Sequence, residues 1–529
     1  MTRSDVEWWR GAVIYQIYPR SFADANGDGV GDLKGIIEKL DYVARLGVDA
    51  IWLSPFFTSP MKDFGYDVAD YRDVDPLFGT LADFDALLAR AHTLGLKVII
   101  DQVWSHTSDR HPWFLESAGS PDNAKADWYV WADARADGSP PNNWLAVFGG
   151  PSWTWHPLRR QYYLHNFLVE QPDLNFWIPA VQDAILDVAR FWLDRGVDGF
   201  RLDAVNFIFH DKELRDNPAA SHRRSPPMPT SFQRHLHDRS RPQALAFLRR
   251  VRALTDSYER RFTVGEVVDV ELQQGYTTPP DHLHTAYSFY LLGPQATPEL
   301  FAQALNSWAG APGWPSWSLG NHDVPRFPTR MAHSGGAAQV KVLLAVLLCL
   351  RGTIFLYQGD ELGLPQAEVP FDRLRDPFAI AAYTGGAGRD GARTPMPWTA
   401  DGVSAGFSDA AETWLPIDPA HRPLAVAEQE HDPGSMLAFT KWLVGLRRSL
   451  PALQRGAAGV VTAPPGVLAF QRQEAGERLL CVFELAGRAT RFEGPADATV
   501  VASFGIDGEI VRGDTPLNPF GFVLFRLPG

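Results

Sequence analysis

The segments GFRLDAV, VGEV and GNHD each place an acidic residue at the carboxyl end of a short apolar run: Asp203, Glu266 and Asp323. Three carboxylates around one pocket cannot all ionise cheaply, so their proton affinities must separate. One can then donate a proton while another attacks. Arg201 precedes Asp203 by two residues, the period that points both side chains to one face of a strand. Its charge would hold Asp203 ionised. A carboxylate nucleophile beside a carboxylic acid, about 5 Å apart, is what retaining cleavage of a glycosidic bond needs. A lone Asp or Glu at a strand end is more often a helix cap or a surface ion pair, and it is the joint pattern that outweighs this reading. His106 and His322 each follow a strand end and could donate hydrogen bonds to sugar hydroxyls. Zinc finds little support, because no HExxH motif occurs.

A second group of oxygen donors lies in DANGDGVGD, residues 24 to 32. Asp24, Asn26, Asp28, the Val30 carbonyl and Asp32 match the first five ligand positions of an EF-hand loop, but the twelfth position is Gly35 and not Glu. The loop is EF-hand-like without being an EF-hand, and Ca²⁺ or Mg²⁺ would suit its donors. Asp, Asn and Gly are also what a solvated turn prefers.

Short apolar runs alternating with amphipathic stretches must position these residues, a pattern that predicts repeated βα units and a parallel sheet. Strands are expected at 13–19, 50–55, 97–104, 199–205, 262–267, 285–289, 317–323 and 353–363. Between them, LKGIIEKLDYVARLG, FDALLARAHTLG and VQDAILDVARFWLDRG read as helices closed by glycine. Eight such units predict an α/β (β/α)8 TIM barrel, with Asp203, Glu266 and Asp323 converging on the mouth at the strands' carboxyl ends. The barrel is expected over 1–104 and 171–452. An inserted subdomain after strand 3 takes 105–170, where Trp, Gly, Pro and Asn abound and helical period is weak. A C-terminal antiparallel β domain, a small sandwich, takes 453–529. SHRRSPPMPTSFQRH reads as a long loop on top of the barrel.

The net charge of −13 disfavours nucleic acid and anionic membrane as partners. Aromatic side chains stack on sugar faces, but core packing accounts for most of the 18 Trp equally well. Cys349 and Cys481 are too few for a disulfide framework, and MTRSDVEWWRG has no apolar signal core, so a cytoplasmic location is expected. The apolar run near 343–350 is far short of a membrane span.

The ordered motifs GAVIYQIYPRSF, DQVWSH, QPDLN, GFRLDAV, VGEV, NHD and GDELG resemble the α-amylase family of glycoside hydrolases, in its exo-acting α-glucosidase and oligo-1,6-glucosidase branch. The resemblance spans nearly the whole chain. It implies Asp203 as nucleophile, Glu266 as general acid/base and Asp323 as the stabiliser that grips ring hydroxyls. It also implies a nonreducing-end glucose pocket lined by Asp63 and Tyr66 of DFGYD, His106, Arg201, His322 and Arg389, with Phe167 near its wall. The same branch carries a structural Ca²⁺ or Mg²⁺ at the loop holding DANGDGVGD. Ser105 stands where the family usually has Asn in DxxxNH, which puts in doubt the calcium that α-amylases hold beside the inserted subdomain.

In this branch Val after the nucleophile goes with α-1,6 preference, and smaller residues with α-1,4. Ala204 occupies the position here, so maltose-like α-1,4 glucosides are the implied substrates, with glucosyl transfer as a possible second outcome. Pocket shape of this kind is worth only about 1–3 kcal/mol. A sucrose- or trehalose-processing transferase or isomerase would carry the same carboxylates. A non-catalytic transporter-partner barrel would need a membrane anchor or missing acids. Small-molecule α-glucosides are the expected partners, and the protein is expected to be a monomer or homodimer.

Overall fold

The computed structural model describes residues 7–221, 229–278, 280–381, 388–507, 510 and 514–528. The β-branched and aromatic runs form β1 (Val13–Ile17), β2 (Ala50–Leu53), β3 (Lys97–Val103) and β4 (Gly199–Asp203). They continue with β5 (Phe262–Glu266), β6 (Thr285–Tyr287), β7 (Ser316–Trp317) and β8 (Thr353–Tyr357). One sheet contains all eight, in the order β6-β5-β4-β3-β2-β1-β8-β7. Every sequential pair is joined except β6 with β7, and β8 returns to β1, so the sheet is a parallel barrel that closes almost completely. Strands covered on both faces must be apolar throughout. Accordingly β1, β2, β4, β5, β6 and β8 are buried at every position. Gly199 opens β4 because a Cβ there would stand 2.5 Å from the Phe262 carbonyl oxygen of β5.

The expected helices occupy Leu33–Arg45, Leu81–Thr93 and Pro179–Asp194. Gly47, Gly95 and Gly196 end them at φ of 83°, 79° and 103°, the left-handed conformation that glycine adopts without a Cβ clash. Asp32 caps the first helix by accepting from the Gly35 N–H at 2.6 Å.

Every strand ends before its expected run does, and two end six residues early. The 317–323 run is a strand only at Ser316–Trp317; farther on, Asn321 Oδ1 accepts from the Asp323 N–H at 2.8 Å and makes a local turn. The 353–363 run stops at Tyr357, where Gly359 and Gly363, at φ of 91° and 68°, flank a 3-10 turn at Asp360–Leu362. In the insertion, a helix at Pro112–Gly119 appears where little period was visible, started by a proline and by His111, which accepts from the Trp113 N–H. A three-stranded sheet of Trp131–Ala132, Trp153–His156 and Gln161–Leu164 accompanies it, with Trp144 and Trp153 in a small core. Residues 222–228 of the SHRRSPPMPTSFQRH stretch lie outside the described residues.

The C-terminal strands are β9 (Ala457–Val461), β10 (Val467–Glu474), β11 (Glu477–Glu484), β12 (Thr499–Phe504) and β13 (Phe522–Arg526). They form an antiparallel sheet of order β9-β10-β11-β13-β12, with Val482, Val523 and Phe525 in its core. The chain divides into two compact units. One is Met1–Trp52 with Ala89–Val98 and Tyr287–Gly529; the other is Leu53–Leu88 with Ile99–Ala286. Among the described residues no helix is long and apolar enough to cross a membrane.

Candidate active site

In the unit that carries β4 and β5, the chemistry is organised around one guanidinium. A charged residue inside an otherwise apolar parallel strand must be paired. Arg201, fully buried in β4, meets that demand three times. Its Nη1 donates to Asp101 Oδ1 at 2.7 Å and to Asp203 Oδ1 at 2.6 Å, and its Nη2 lies 2.7 Å from Glu266 Oε1. Burial alone would lower the proton affinity of Arg201, but Asp101, Glu266 and Asp203 together raise it well above the ordinary arginine range. The cation is therefore permanent. Glu266 Oε2 accepts a further bond, at 3.0 Å, from the Ala204 N–H. Ala204 adopts φ of 41°, a left-handed conformation that costs a non-glycine residue roughly 1–2 kcal/mol, and this bend directs its amide away from the β4 ladder. Asp203 and Glu266 are thus brought together on two arms of one fork.

The same unit gathers Asp63, Tyr66, His106 and Phe167. The Gln171 amide donates to Asp63 Oδ2 at 3.3 Å and lies 3.0 Å from His106 Nε2, while His106 Nδ1 lies 2.9 Å from Ser105 Oγ. Burial pushes the His106 imidazole down to about 4, so it is neutral at pH 7. Tyr66 Oη donates to Asp101 Oδ2 at 3.4 Å, which ties this group to the Arg201 cluster. The Phe167 ring centroid lies 5.0 Å from that of His106 and 5.2 Å from that of Phe207. The loop carrying Asp63 is held by Asp67, whose carboxylate accepts from the amides of Lys62 and Asp63 at 2.8 and 3.0 Å. Burial nevertheless raises Asp67 to about 6.

In the other unit, His322 and Asp323 follow β7. The Gln16 amide donates to His322 Nδ1 at 2.8 Å, which leaves the ring proton on Nε2, 3.3 Å from Asp323 Oδ2. Tyr18 stacks on the imidazole at 5.5 Å. Asp323 Oδ1 accepts from Arg393 Nη2 at 2.6 Å and from Arg389 Nη1 at 3.4 Å. Arg389 is oriented in turn by fully buried Asp376, which accepts from its Nε, Nη2 and backbone N–H at 3.2, 2.8 and 2.8 Å. Burial raises the proton affinity of Asp376, but Arg389 more than reverses this and keeps the group below the usual carboxylate range.

Sequence reasoning missed Asp101, Gln171, Asp376 and Arg393. Asp101 had a usable signal, since DQVWSH puts an acid inside a strand that must then pair it, and it sits opposite Arg201 in the register. The other three sit in irregular segments without a period to point them.

In the DANGDGVGD loop, Asp24 accepts from the amides of Asn26, Gly27 and Gly29. Asn26 accepts from Asp28, Asp28 from Val30, and Asp32 from Ala25, Asn26 and Gly35. This chain of Asx turns spends the side-chain oxygens on the loop's own amides, and the donors are all hard oxygens of the kind Ca²⁺ and Mg²⁺ take. Among the described residues no group of three or more His, Cys, Asp or Glu side chains is arranged to hold a metal ion. A cation here would therefore rely on Asn26, the Val30 carbonyl and water as well as carboxylates.

The alpha amylase catalytic domain family matches residues 16–456. A probable alpha-glucosidase of Rhizobium meliloti (strain 1021) is 50% identical over 99% of this chain and 98% of its own length. An oligo-1,6-glucosidase of Halalkalibacterium halodurans is 36% identical over 93% of each. Among solved structures, an alpha-glucosyl transfer enzyme superposes with a TM-score of 0.94 at 50% identity, covering 98% of this chain and 99% of that one. A barrel with the carboxylates described above, matched over this length and at this identity, leaves one assignment: the chain belongs to the alpha-amylase family and is a glycoside hydrolase.

Proposed function

We propose that the protein is a retaining α-glucosidase. It releases α-glucose from the nonreducing end of short α-glucosides, prefers α-1,4 links, and passes the glucosyl group to sugars or alcohols as a second outcome. The shared Arg201 fork carries this reading. It favours the close carboxylate spacing of a retaining enzyme, roughly 5 Å, over the inverting spacing of roughly 6.5 Å or more. The names of the α-glucosidase and glucosyl-transfer relatives support both outcomes.

In the first step, protonated Glu266 gives its proton to the glycosidic oxygen as an Asp203 oxygen attacks the anomeric carbon. The carbon–oxygen bond breaks, its electron pair stays with the leaving sugar, and a β-glucosyl ester forms. In the second step, Glu266 takes a proton from water, the water oxygen attacks the anomeric carbon, and Asp203 leaves as the carboxylate with α-glucose free. Arg201 stabilises Asp203 both before attack and as it departs. The bond from the Ala204 amide holds Glu266 in one rotamer between its two proton transfers. Asp323 is assigned the grip on ring hydroxyls, and Asp63, Tyr66, His106, Phe167, His322 and Arg389 the walls of the glucose pocket. The small Ala204 side chain leaves room for the leaving sugar of maltose.

We also propose a structural Ca²⁺ or Mg²⁺ in the DANGDGVGD loop. It would stabilise the fold by binding the native state alone. Chelation should lower the apparent Tm, and added Ca²⁺ or Mg²⁺ should restore it; a Tm indifferent to both contradicts the site. The two buried free thiols, Cys349 and Cys481, agree with a cytoplasmic setting.

The test is proton NMR of fresh reactions with maltose, isomaltose and sucrose taken separately. Early α-glucose mainly from maltose supports mechanism and linkage together. Early β-glucose contradicts the retaining mechanism. Products mainly from isomaltose overturn the linkage, and isomerised products from sucrose would favour the sucrose-processing reading.

A further inference from the structure

Away from every residue assigned to glucoside chemistry, the chain's two cysteines meet. Cys349 is the last residue of the apolar helix Gly336–Cys349, and Cys481 lies within β11. Both belong to one compact unit, and both are fully buried. The register explains how they come together. Cys481 stands opposite Phe470 of β10, and Arg472, two residues on from Phe470, shares that face of the sheet. Ala469, Leu480 and Val482 point the other way, into the core of the β domain. Arg472 Nη1 donates to the Cys349 carbonyl at 2.6 Å, which seats the end of the helix on the face that carries Cys481. There the two thiols hydrogen-bond to each other.

Packing alone would account for two small apolar side chains. The charges beside them go further. Arg447 and Arg472 are fully buried. Arg447 Nη1 donates to the carbonyls of Leu348 and Leu350 at 2.6 and 3.0 Å, and Arg472 Nη2 to that of Gly456 at 3.0 Å. Carbonyl oxygens satisfy these N–H groups without cancelling a charge. Burial, joined by the charges of Arg447 and Arg351, brings Arg472 down to about 9, and the two thiols oppose that shift. The converse acts on the thiols. The bond from Cys481, then Arg447 and Arg472, outweigh burial and hold Cys349 below the ordinary thiol range, while burial pushes Cys481 well above it. One sulfur is thus suited to attack and its neighbour to give up a proton late.

We propose that Cys349 and Cys481 are a reversible disulfide site, closed by hydrogen peroxide and opened by thiol reductants, that locks the barrel's apolar helix to the C-terminal β domain. Peroxide is little larger than water, which suits it to thiols this deeply placed. The Cys349 thiolate attacks one peroxide oxygen and the O–O bond breaks. The departing hydroxide takes the proton that Cys349 released and leaves as water, and Cys349 carries a sulfenic S–OH. The Cys481 sulfur then attacks the Cys349 sulfur, hydroxide leaves with the Cys481 proton as a second water, and the S–S bond forms. Two thiols lose two electrons and one peroxide becomes two waters. The bond closes a loop of about 130 residues, the length at which a cross-link restricts the unfolded chain most. The proposal does not depend on the glucosidase reading.

The test treats the reduced full chain with millimolar hydrogen peroxide, blocks remaining thiols in denaturant, and maps the unreduced digest by mass spectrometry. The Cys349 and Cys481 peptides should appear joined, both thiols should disappear together, and dithiothreitol should restore them. The apparent Tm of the oxidised chain should rise by about 4 °C and fall back on reduction. Maltose hydrolysis should be the same in both forms. In Cys481→Ala the reaction should stop at a sulfenic acid on Cys349 that dimedone traps, and in Cys349→Ala the remaining thiol should react about tenfold more slowly or less. The wild-type map carries the test if either variant fails to fold. Two thiols still free after excess peroxide, sulfinic acid without a cross-link, a cross-link that forms only in denaturant or only between chains, or a Tm that does not rise would each overturn the proposal.

Discussion

Replacing Arg201 with Gln should cost both stability and rate, and the stability loss should depend on pH with a defined sign. The guanidinium is 1% exposed and touches Asp101, Asp203 and Glu266 at 2.6–2.7 Å. Removing one partner of a buried ion pair typically costs about 3–5 kcal/mol, because the charge left behind is uncompensated. Three carboxylates would be left here. At about 2.1 cal/mol/K per residue, the unfolding entropy of a 529-residue chain is about 1.1 kcal/mol/K, so the apparent Tm should fall by about 3–5 °C at pH 7. Without the cation, burial and mutual repulsion make the carboxylates bind protons more readily in the folded state than in the unfolded chain. Protons then stand in for the missing charge as the pH is lowered, so the gap to wild type is widest at neutral pH and narrows in mild acid. Adding Asp101→Asn to the variant removes one of the three charges and should recover part of the loss. Thermal melts of wild type, single and double variants at several pH values measure all of this. A loss below about 1 kcal/mol, a loss that does not change with pH, or no recovery in the double variant would refute the account of Arg201 as the counter-charge of the site.

Glu266→Gln should slow maltose turnover by about 10²–10⁴-fold, but aryl glucosides with acidic leaving groups much less; equal losses would count against Glu266 as the acid. Asp376→Asn frees the Arg389 fork and should raise KM for maltose more than it lowers kcat; a kcat loss at unchanged KM would contradict a positioning role. Asp67 is raised to about 6 by burial, from 3.8, so its stabilising neutral form is fully present below the unfolded value and is lost as pH rises through about 6. The loss amounts to about 3 kcal/mol, and pH-dependent melts should show Asp67→Asn with a correspondingly flatter profile than wild type; identical profiles would show that Asp67 does not titrate there.

The barrel was legible because buried parallel strands write themselves as unbroken apolar runs, and because Gly47, Gly95 and Gly196 mark where helices stop. The end of β7 was not legible, since residues 318–322 are as buried as a strand while lying outside its ladder. The helix at Pro112–Gly119 was hidden for a related reason: its start is set by Pro112 and the His111 cap more than by an apolar stripe. In the site, the two-residue spacing of Arg201 and Asp203 announced a shared face. The bond from Ala204 to Glu266 could not be foreseen, because it depends on a left-handed alanine that no periodicity encodes. Arg389 and Arg393 lie in one irregular segment, and only the structure shows that Arg393 makes the shorter contact to Asp323. The DANGDGVGD pattern stays two-sided, since the same Asx oxygens that suit a cation also cap the loop's own amides.

The central claim is that Asp203 becomes covalently bonded to glucose. Incubation with 5-fluoro-α-glucosyl fluoride, whose ester is slow to hydrolyse, followed by proteolysis and mass spectrometry, tests it directly. The account predicts one fluoroglucosyl adduct, located on Asp203 in GFRLDAV, and none in Asp203→Asn. An adduct on another residue, or steady turnover of the reagent with no adduct on any peptide, would contradict it.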